Sequence, residues 1–170
     1  MPNTPNTPNT PNTLNTPKSE LKKKRAMVER MGVFFERMGF APMPGRVFAY
    51  LLLAEPIQKN FYEIQEFLSA SKSAISNALK FLMEKGIVEY ITYPGDRKRY
   101  FKVNPKGWMA NTKRQFKDAT KIKLIISDVL QQRKKSKDQE FNEQLQTIVD
   151  FYEEMNVVLN KFIDSWDKRK

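Results

Sequence analysis

The spacing of apolar residues changes from helical to strand-like inside one segment, Ser71–Lys102, and few small folds accommodate that switch. Ile75, Ala78, Leu79, Leu82 and Met83 recur at spacings that place them on one face of a helix. Ser73, Ser76, Asn77, Lys80 and Glu84 fall on the opposite face, and Lys72 sits in the first turn. Ser71 suits the position before the helix, and Gly86 suits the left-handed position after it. From Ile87 the period becomes two. Ile87, Glu89, Ile91 and Tyr93 alternate against Val88, Tyr90 and Thr92, the pattern of a half-buried strand. Arg99–Asn104 reads as its return strand, with Pro94-Gly95-Asp96 turning between them. Asp96 is expected to bond its own backbone there.

The chain before this segment reads as helices. Pro-Asn-Thr repeats four times from Pro2 to Thr13, and proline at every third position forbids helix. Residues 1–17 hold too little apolar surface to offset ordering, so they read as a disordered tail, with a docking tail as the alternative. Charge begins at Lys18. A helix is expected from Ser19 to Met38, stopped by Gly39, with Val28, Met31, Phe34, Phe35 and Met38 as its apolar face. Its run Lys22-Lys23-Lys24-Arg25 is either a solvated face or a phosphate contact. Gly45–Ala54 reads as the next helix, ended by Pro56. Phe61–Leu68 follows, with Asn60 as N-cap and Glu63 completing a capping box.

After the hairpin, Asn104-Pro105 starts a helix expected to reach about Lys134, and a last helix runs from Asp138 to about Trp166. In that last helix Phe141, Leu145, Ile148, Tyr152, Met155, Leu159, Phe162 and Trp166 alternate spacings of four and three. Such a seam requires a partner helix. Trp108, Phe116, Ile122, Ile126, Val129 and Leu130 offer one within the chain. The seam exceeds what a small domain uses for its own core, so the reading is a homodimer through the terminal helices. The alternative is an antiparallel hairpin in a monomer.

Composition narrows the chemistry. The 170 residues contain no cysteine, no histidine and a net charge of +11. Thiol and imidazole catalysis and the usual zinc ligands are absent, and no tight carboxylate cluster or glycine-rich phosphate loop is evident. No enzyme, metal site or cofactor is therefore expected. No apolar run approaches the roughly 18 residues of a membrane span, and no apolar signal core opens the chain, so a cytoplasmic protein is expected. A chain this basic normally meets a polyanion.

These features converge on double-stranded DNA. The outward residues Ser73, Ser76, Asn77 and Lys80 are small or flexible hydrogen-bonding groups, and asparagine can bond adenine N6 and N7 together. The helix start, with Ser71 and Lys72, favours a phosphate. On the hairpin tip, Arg97, Lys98 and Arg99 can grip the minor groove and the backbone. Taken alone, the polar stripe fits a plain solvated face equally well. A different class of reading, a winged-helix protein-interaction module, predicts no salt-sensitive duplex binding.

With these residues in view, the chain resembles the MarR superfamily, and within it a GbsR-like branch. Three stretches carry the likeness: Met38–Leu53 (MGFAPMPGRVFAYLLL), Leu68–Leu79 (LSASKSAISNAL) and Pro94–Phe101 (PGDRKRYF). The resemblance implies a mainly α winged helix-turn-helix fold with a small β-hairpin wing. It implies N- and C-terminal dimerisation helices over 18–40 and 105–170, flanking a DNA-binding domain over 41–104. It implies a transcriptional regulator, often a repressor, on a pseudo-palindromic operator, and leaves room for a small-molecule effector of unidentified chemistry. Phe34, Phe35, Trp108, Phe116, Tyr152 and Trp166 are candidates for a cation cage, although their helical spacing is better accounted for by core packing.

Overall fold

The computed structural model describes residues 17–169. The expected tail therefore lies outside the described residues, except for Pro17, which opens the first helix. The chain divides into two compact units, residues 17–84 with 88–103, and residues 85–87 with 104–169.

In the first unit, α1 (Pro17–Arg37) ends where Gly39 takes a positive φ of 87°. The Phe40 amide then bonds back to the Phe35 carbonyl at 3.0 Å. The second helix, α2 (Pro42–Leu52), begins three residues before the expected Gly45. Pro42 and Pro44 occupy its first turn, where amide hydrogens have no helical acceptor to lose. The two helices cross closely. A Cβ on Gly45 would stand 3.2 Å from the Gly32 carbonyl oxygen, and one on Gly32 would stand 2.9 Å from Arg46 Cγ. Beside the crossing, Arg46 Nε donates to Glu29 Oε2 at 2.9 Å and Arg46 Nη1 donates to Glu36 Oε1 at 2.6 Å. The carboxylate of Glu36 contributes most to raising the guanidinium pKa.

α3 (Phe61–Leu68) carries the expected capping box. Asn60 Oδ1 accepts from the Tyr62 and Glu63 amides, and Glu63 Oε2 accepts from the Asn60 amide at 2.7 Å. Ser69 then takes the left-handed conformation, φ 51°, that turns the chain into α4 (Lys72–Glu84). Phe48, Ile64, Ile75 and Leu82 are fully buried, and Phe35, Phe40 and Phe48 form an aromatic cluster with centroids 4.9–6.0 Å apart. Burial of each such side chain stabilises by about 1.5–3 kcal/mol, so this core dominates the unit's energetics.

The hairpin strands are β2 (Val88–Ile91) and β3 (Tyr100–Val103), shorter than the expected 87–93 and 99–104. They pair antiparallel in the register Val88–Val103 and Ile91–Tyr100. A Glu89–Lys102 ion pair of 3.1 Å lies across the ladder. A third strand, β1 (Lys59–Asn60), joins the free edge of β3, giving the order β1-β3-β2. Two residues are too few to carry a readable period, so no pattern marks this strand.

The second unit is helical. The expected single helix 105–134 is two helices, α5 (Pro105–Ala119) and α6 (Ile122–Gln132). The break falls at Thr120, a buried residue whose hydroxyl donates to the Lys117 carbonyl at 2.8 Å, with Asn156 Oδ1 at 3.1 Å. A side-chain hydroxyl competing for a backbone carbonyl ends the regular ladder. The last helix, α7 (Gln139–Asp167), packs against α6 and α5. Gly107, in the first turn of α5, lies so close to the Gly86 carbonyl that a Cβ would sit 1.9 Å from its oxygen.

Candidate nucleic-acid interface

α4 is placed by its apolar side. Ile75, Ala78, Leu79 and Leu82 are buried in the first unit, which leaves the polar stripe no option but solvent. Ser71, Lys72, Ser73, Ser76, Asn77 and Lys80 are all exposed. Ser71 is the N-cap, its Oγ accepting the Ala74 amide at 3.2 Å, and it also lies 3.1 Å from Ser73 Oγ. Lys80 and Glu84 approach at 3.9 Å on an open surface, a contact of little energetic consequence. The lysine is therefore available to a stronger anion.

The wing tip is built around Asp96. Gly95 takes a positive φ of 80°, and the Asp96 amide closes the turn on the Tyr93 carbonyl. Asp96 Oδ1 accepts the Lys98 amide at 2.9 Å, as expected for this residue in a turn. Oδ2 accepts the Tyr100 hydroxyl at 2.7 Å, a bond the sequence did not announce. The Lys98 amide first, then the Tyr100 hydroxyl, hold the Asp96 carboxyl below its ordinary range; the same bond raises the Tyr100 phenol. Arg99 lies over the Tyr90 ring, 4.7 Å from its centroid, a cation–π contact that leaves its outer edge free. Arg97 and Lys98 side chains form no ion pair among the described residues.

Helix and wing share one recess of about 530 Å³. Ser76, Lys80, Arg97, Lys98 and Arg99 line it together, with Asn60, Tyr62, Leu79, Met83 and Phe101 among the remaining walls. Lys72, Ser73 and Asn77 stay exposed outside it. Tyr62 was not singled out from the sequence. It stands in the first turn of α3 with its side chain largely exposed, and an exposed tyrosine beside a capped helix start was the available clue.

The proposed dimer seam divides into two. Leu145, Tyr152, Met155, Leu159 and Trp166 are partly buried within the unit, on the side that carries the buried Val149 and Ile163. Phe141, Ile148 and Phe162 are exposed, and with Phe151 and Val158 they form a second stripe at spacings of 7, 3, 7 and 4. The alternating spacing over 141–166 crosses both stripes, and Phe151 and Val158, 62% and 64% exposed, lie outside that spacing. On α1, Val28 and Phe35 are buried, while Phe34 and Met38 are exposed. A cage assembled from all six candidate aromatics would draw on both units. Phe35 is part of the first unit's aromatic core, in keeping with packing as its role.

No family model matches the chain. The HTH-type transcriptional regulator MmpR5 of Mycobacterium tuberculosis (strain ATCC 25618 / H37Rv) is 30% identical over 90 residues, 53% of this chain and 54% of that protein. The chain thus spans about half the length of the curated relative it matches. A crystal structure of a transcriptional regulator superposes with a TM-score of 0.67 at 23% identity, covering 86% of this chain and 99% of that one. The fold is a winged helix, mainly α with a small three-stranded antiparallel sheet, like that of this matched structure. In winged-helix terms, α3 and α4 are the helix-turn-helix and β2–β3 the wing. A Staphylococcus aureus MepR–DNA complex is also similar, at 19% identity and a TM-score of 0.40 over 89% of this chain and 99% of that one; so loose a superposition adds no geometry to the site. Among the described residues no three His, Cys, Asp or Glu side chains gather as a metal site. No described helix is long and apolar enough to cross a membrane.

Proposed function

We propose that this chain is a homodimeric transcriptional regulator, a repressor, that reads a pseudo-palindromic site on double-stranded DNA. The observation that carries the reading is the shared recess: α4 and the wing present Ser76, Lys80, Arg97, Lys98 and Arg99 to one space, on a chain of net charge +11. α4 is the element for the major groove, with Asn77, Ser73 and Ser76 toward base edges and Ser71, Lys72 and Lys80 toward phosphates. Arg97 to Arg99 grip the adjoining backbone and minor groove. Tyr62, at the recess wall, is a further phosphate donor.

Dimerisation is supported by the exposed stripe Phe141, Ile148, Phe151, Val158 and Phe162, together with the exposed Leu124 and Ile125 of α6. Contiguous apolar surface of this kind marks an interaction site. α1, with Phe34 and Met38 exposed, is assigned to the same role. In a dimer the two α4 helices meet half-sites about one helical turn apart. DNA-bound MepR supports duplex as the partner of this fold. Within the MarR-like group, the GbsR-like branch rests on the likeness of Met38–Leu53, Leu68–Leu79 and Pro94–Phe101. Gly45 and Arg46 of that stretch make the α1–α2 crossing described above.

Selection from randomised duplexes with the purified full chain tests the proposal. Enrichment of a two-fold symmetric site is the expected outcome, with affinity falling roughly 10³-fold or more between 50 and 200 mM salt if six or more phosphates are contacted. Equal recovery of all sequences removes the specificity claim. Binding unaffected by salt favours the protein-interaction reading instead.

A further inference from the structure

α7 carries two heptad seams. Leu145, Val149, Tyr152, Asn156, Leu159 and Ile163 alternate spacings of four and three, and all are buried or half-buried within the second unit. Asn156 Oδ1 fixes that inner seam, accepting from Thr120 Oγ1 and from Asn160 Nδ2, each at 3.1 Å. One position earlier, Ile148, Phe151, Met155, Val158 and Phe162 repeat the same spacings, extended by Gln144 and Phe141. One position is about 100° of helix, so this outer seam stands to the side of the inner one. All of its residues except Met155 are exposed. A row of charge borders it. One residue before Phe141, Ile148, Met155 and Phe162 come Glu140, Thr147, Glu154 and Lys161, all exposed. The three charged members form no ion pair among the described residues. The other border of the outer seam is Leu145, Tyr152 and Leu159, which belong to the inner seam.

We infer that the outer seam takes the α7 of a second copy in antiparallel orientation, with Glu140 of each copy against Lys161 of the other. The inference rests on the homodimer reading and adds its direction and register. Charge sets the direction. In a parallel pair the charged row would meet the uncharged row Leu145, Tyr152 and Leu159, already packed in its own unit. In an antiparallel pair the charged row meets itself running the other way, and opposite charges can face. Charge also sets the register. With Phe141 layered on Val158 of the second copy, Ile148 falls on Phe151 and Gln144 on Met155, and two-fold symmetry repeats each layer. Glu140 then faces Lys161 and Thr147 faces Glu154. Sliding the pair by one heptad one way sets Glu154 against Glu154, and the other way sets Glu140 against Glu154. The first register alone joins opposite charges with no like pair in the row, the pattern that selects one alignment over its neighbours.

Charge reversal tests this on the full chain without DNA, by sedimentation at low salt, where exposed charges are least screened. Glu140→Lys and Lys161→Glu each place like charges at both ends of the pair. Each is expected to raise the dimer dissociation constant about tenfold. Mixed in equal amounts, the two variants are expected to pair with each other at about wild-type strength, because every lysine of the row's ends then faces a glutamate. The two positions are about 31 Å apart along one helix, so no contact within a chain can produce that recovery. Glu154→Gln, opposite Thr147, is expected to change the constant less than about threefold. Single variants that dimerise like the wild type overturn the inference, as does a mixture that stays as weak as its components. Tighter dimers with Glu154→Gln overturn the register, since Glu154 then opposes a glutamate. A monomeric wild type removes the homodimer reading itself, an outcome distinct from a dimer indifferent to these charges.

Discussion

Phe48 and Phe162 are the same residue on two amphipathic helices, yet Phe48 is fully buried and Phe162 is 59% exposed. Around Phe48, four helices and a small sheet enclose the apolar faces, and what remains outside is polar: serines, asparagine, lysines and the basic wing. Around Phe162, three helices bury only Val149 and Ile163 of α7 and leave a continuous apolar stripe in solvent. The first region is complete as a core and offers charge; the second is incomplete as a core and offers hydrophobic surface. One surface of each kind on a single chain suits two different partners, a polyanion for the first and an apolar face for the second.

The contrast has consequences of graded size. Phe48→Ala is expected to cost the first unit about 3–5 kcal/mol in urea unfolding, since the cavity it leaves is walled by Phe35 and Phe40. A loss under 1 kcal/mol would mean that this core is looser than described. Ile148→Asp with Val158→Asp is expected to raise the dimer dissociation constant at least 100-fold by sedimentation, about 2.7 kcal/mol, leaving helical content intact. An unchanged mass in solution would transfer the interface away from α7. Smaller again, Asn77→Ala should cost about 1–3 kcal/mol on the preferred duplex and relax one base position. Arg97→Ala should weaken all duplexes alike and lower the salt slope by about one. If the two variants behave identically, the division into base-facing helix and backbone-facing wing is wrong.

The smallest effect concerns pH. The Asp96 carboxyl is held low by the Lys98 amide and the Tyr100 hydroxyl, so its contribution to the wing is complete above its unfolded value. It is lost as pH falls through the lower folded value, a window below about pH 4. The Lys98 amide resonance should therefore shift below that pH in the wild type and be flat in Asp96→Asn. A flat wild-type profile removes the bond from solution.

How much of this was legible follows from the range of each signal. The α3 capping box, the α4 faces, the turn at Asp96 and the left-handed Gly86 rest on residues two to four positions apart, and the chain wrote them plainly. β1 did not show because its two residues become a strand only through pairing with Phe101 and Tyr100, about forty positions away. The α5–α6 break did not show because Thr120 needs the distant Asn156 to be buried. The α7 stripes merged because Phe162 and Ile163 are equally apolar in sequence, and only packing against α5 and α6 separates them. In the site, exposed residues of α4 and wing were readable one by one. Their common recess, and Tyr62 beside it, required the tertiary fold.

Asp96 bonds two groups of its own hairpin at once, the Lys98 amide and the Tyr100 hydroxyl. The arginine-bearing tip is thus ordered before any partner arrives. A loose tip would lose chain freedom on docking and slow the final step of association; this one gives up little more than the Arg97 and Lys98 rotamers. What the wing meets, it meets as a formed surface, and its hold is governed by how fast contacts release.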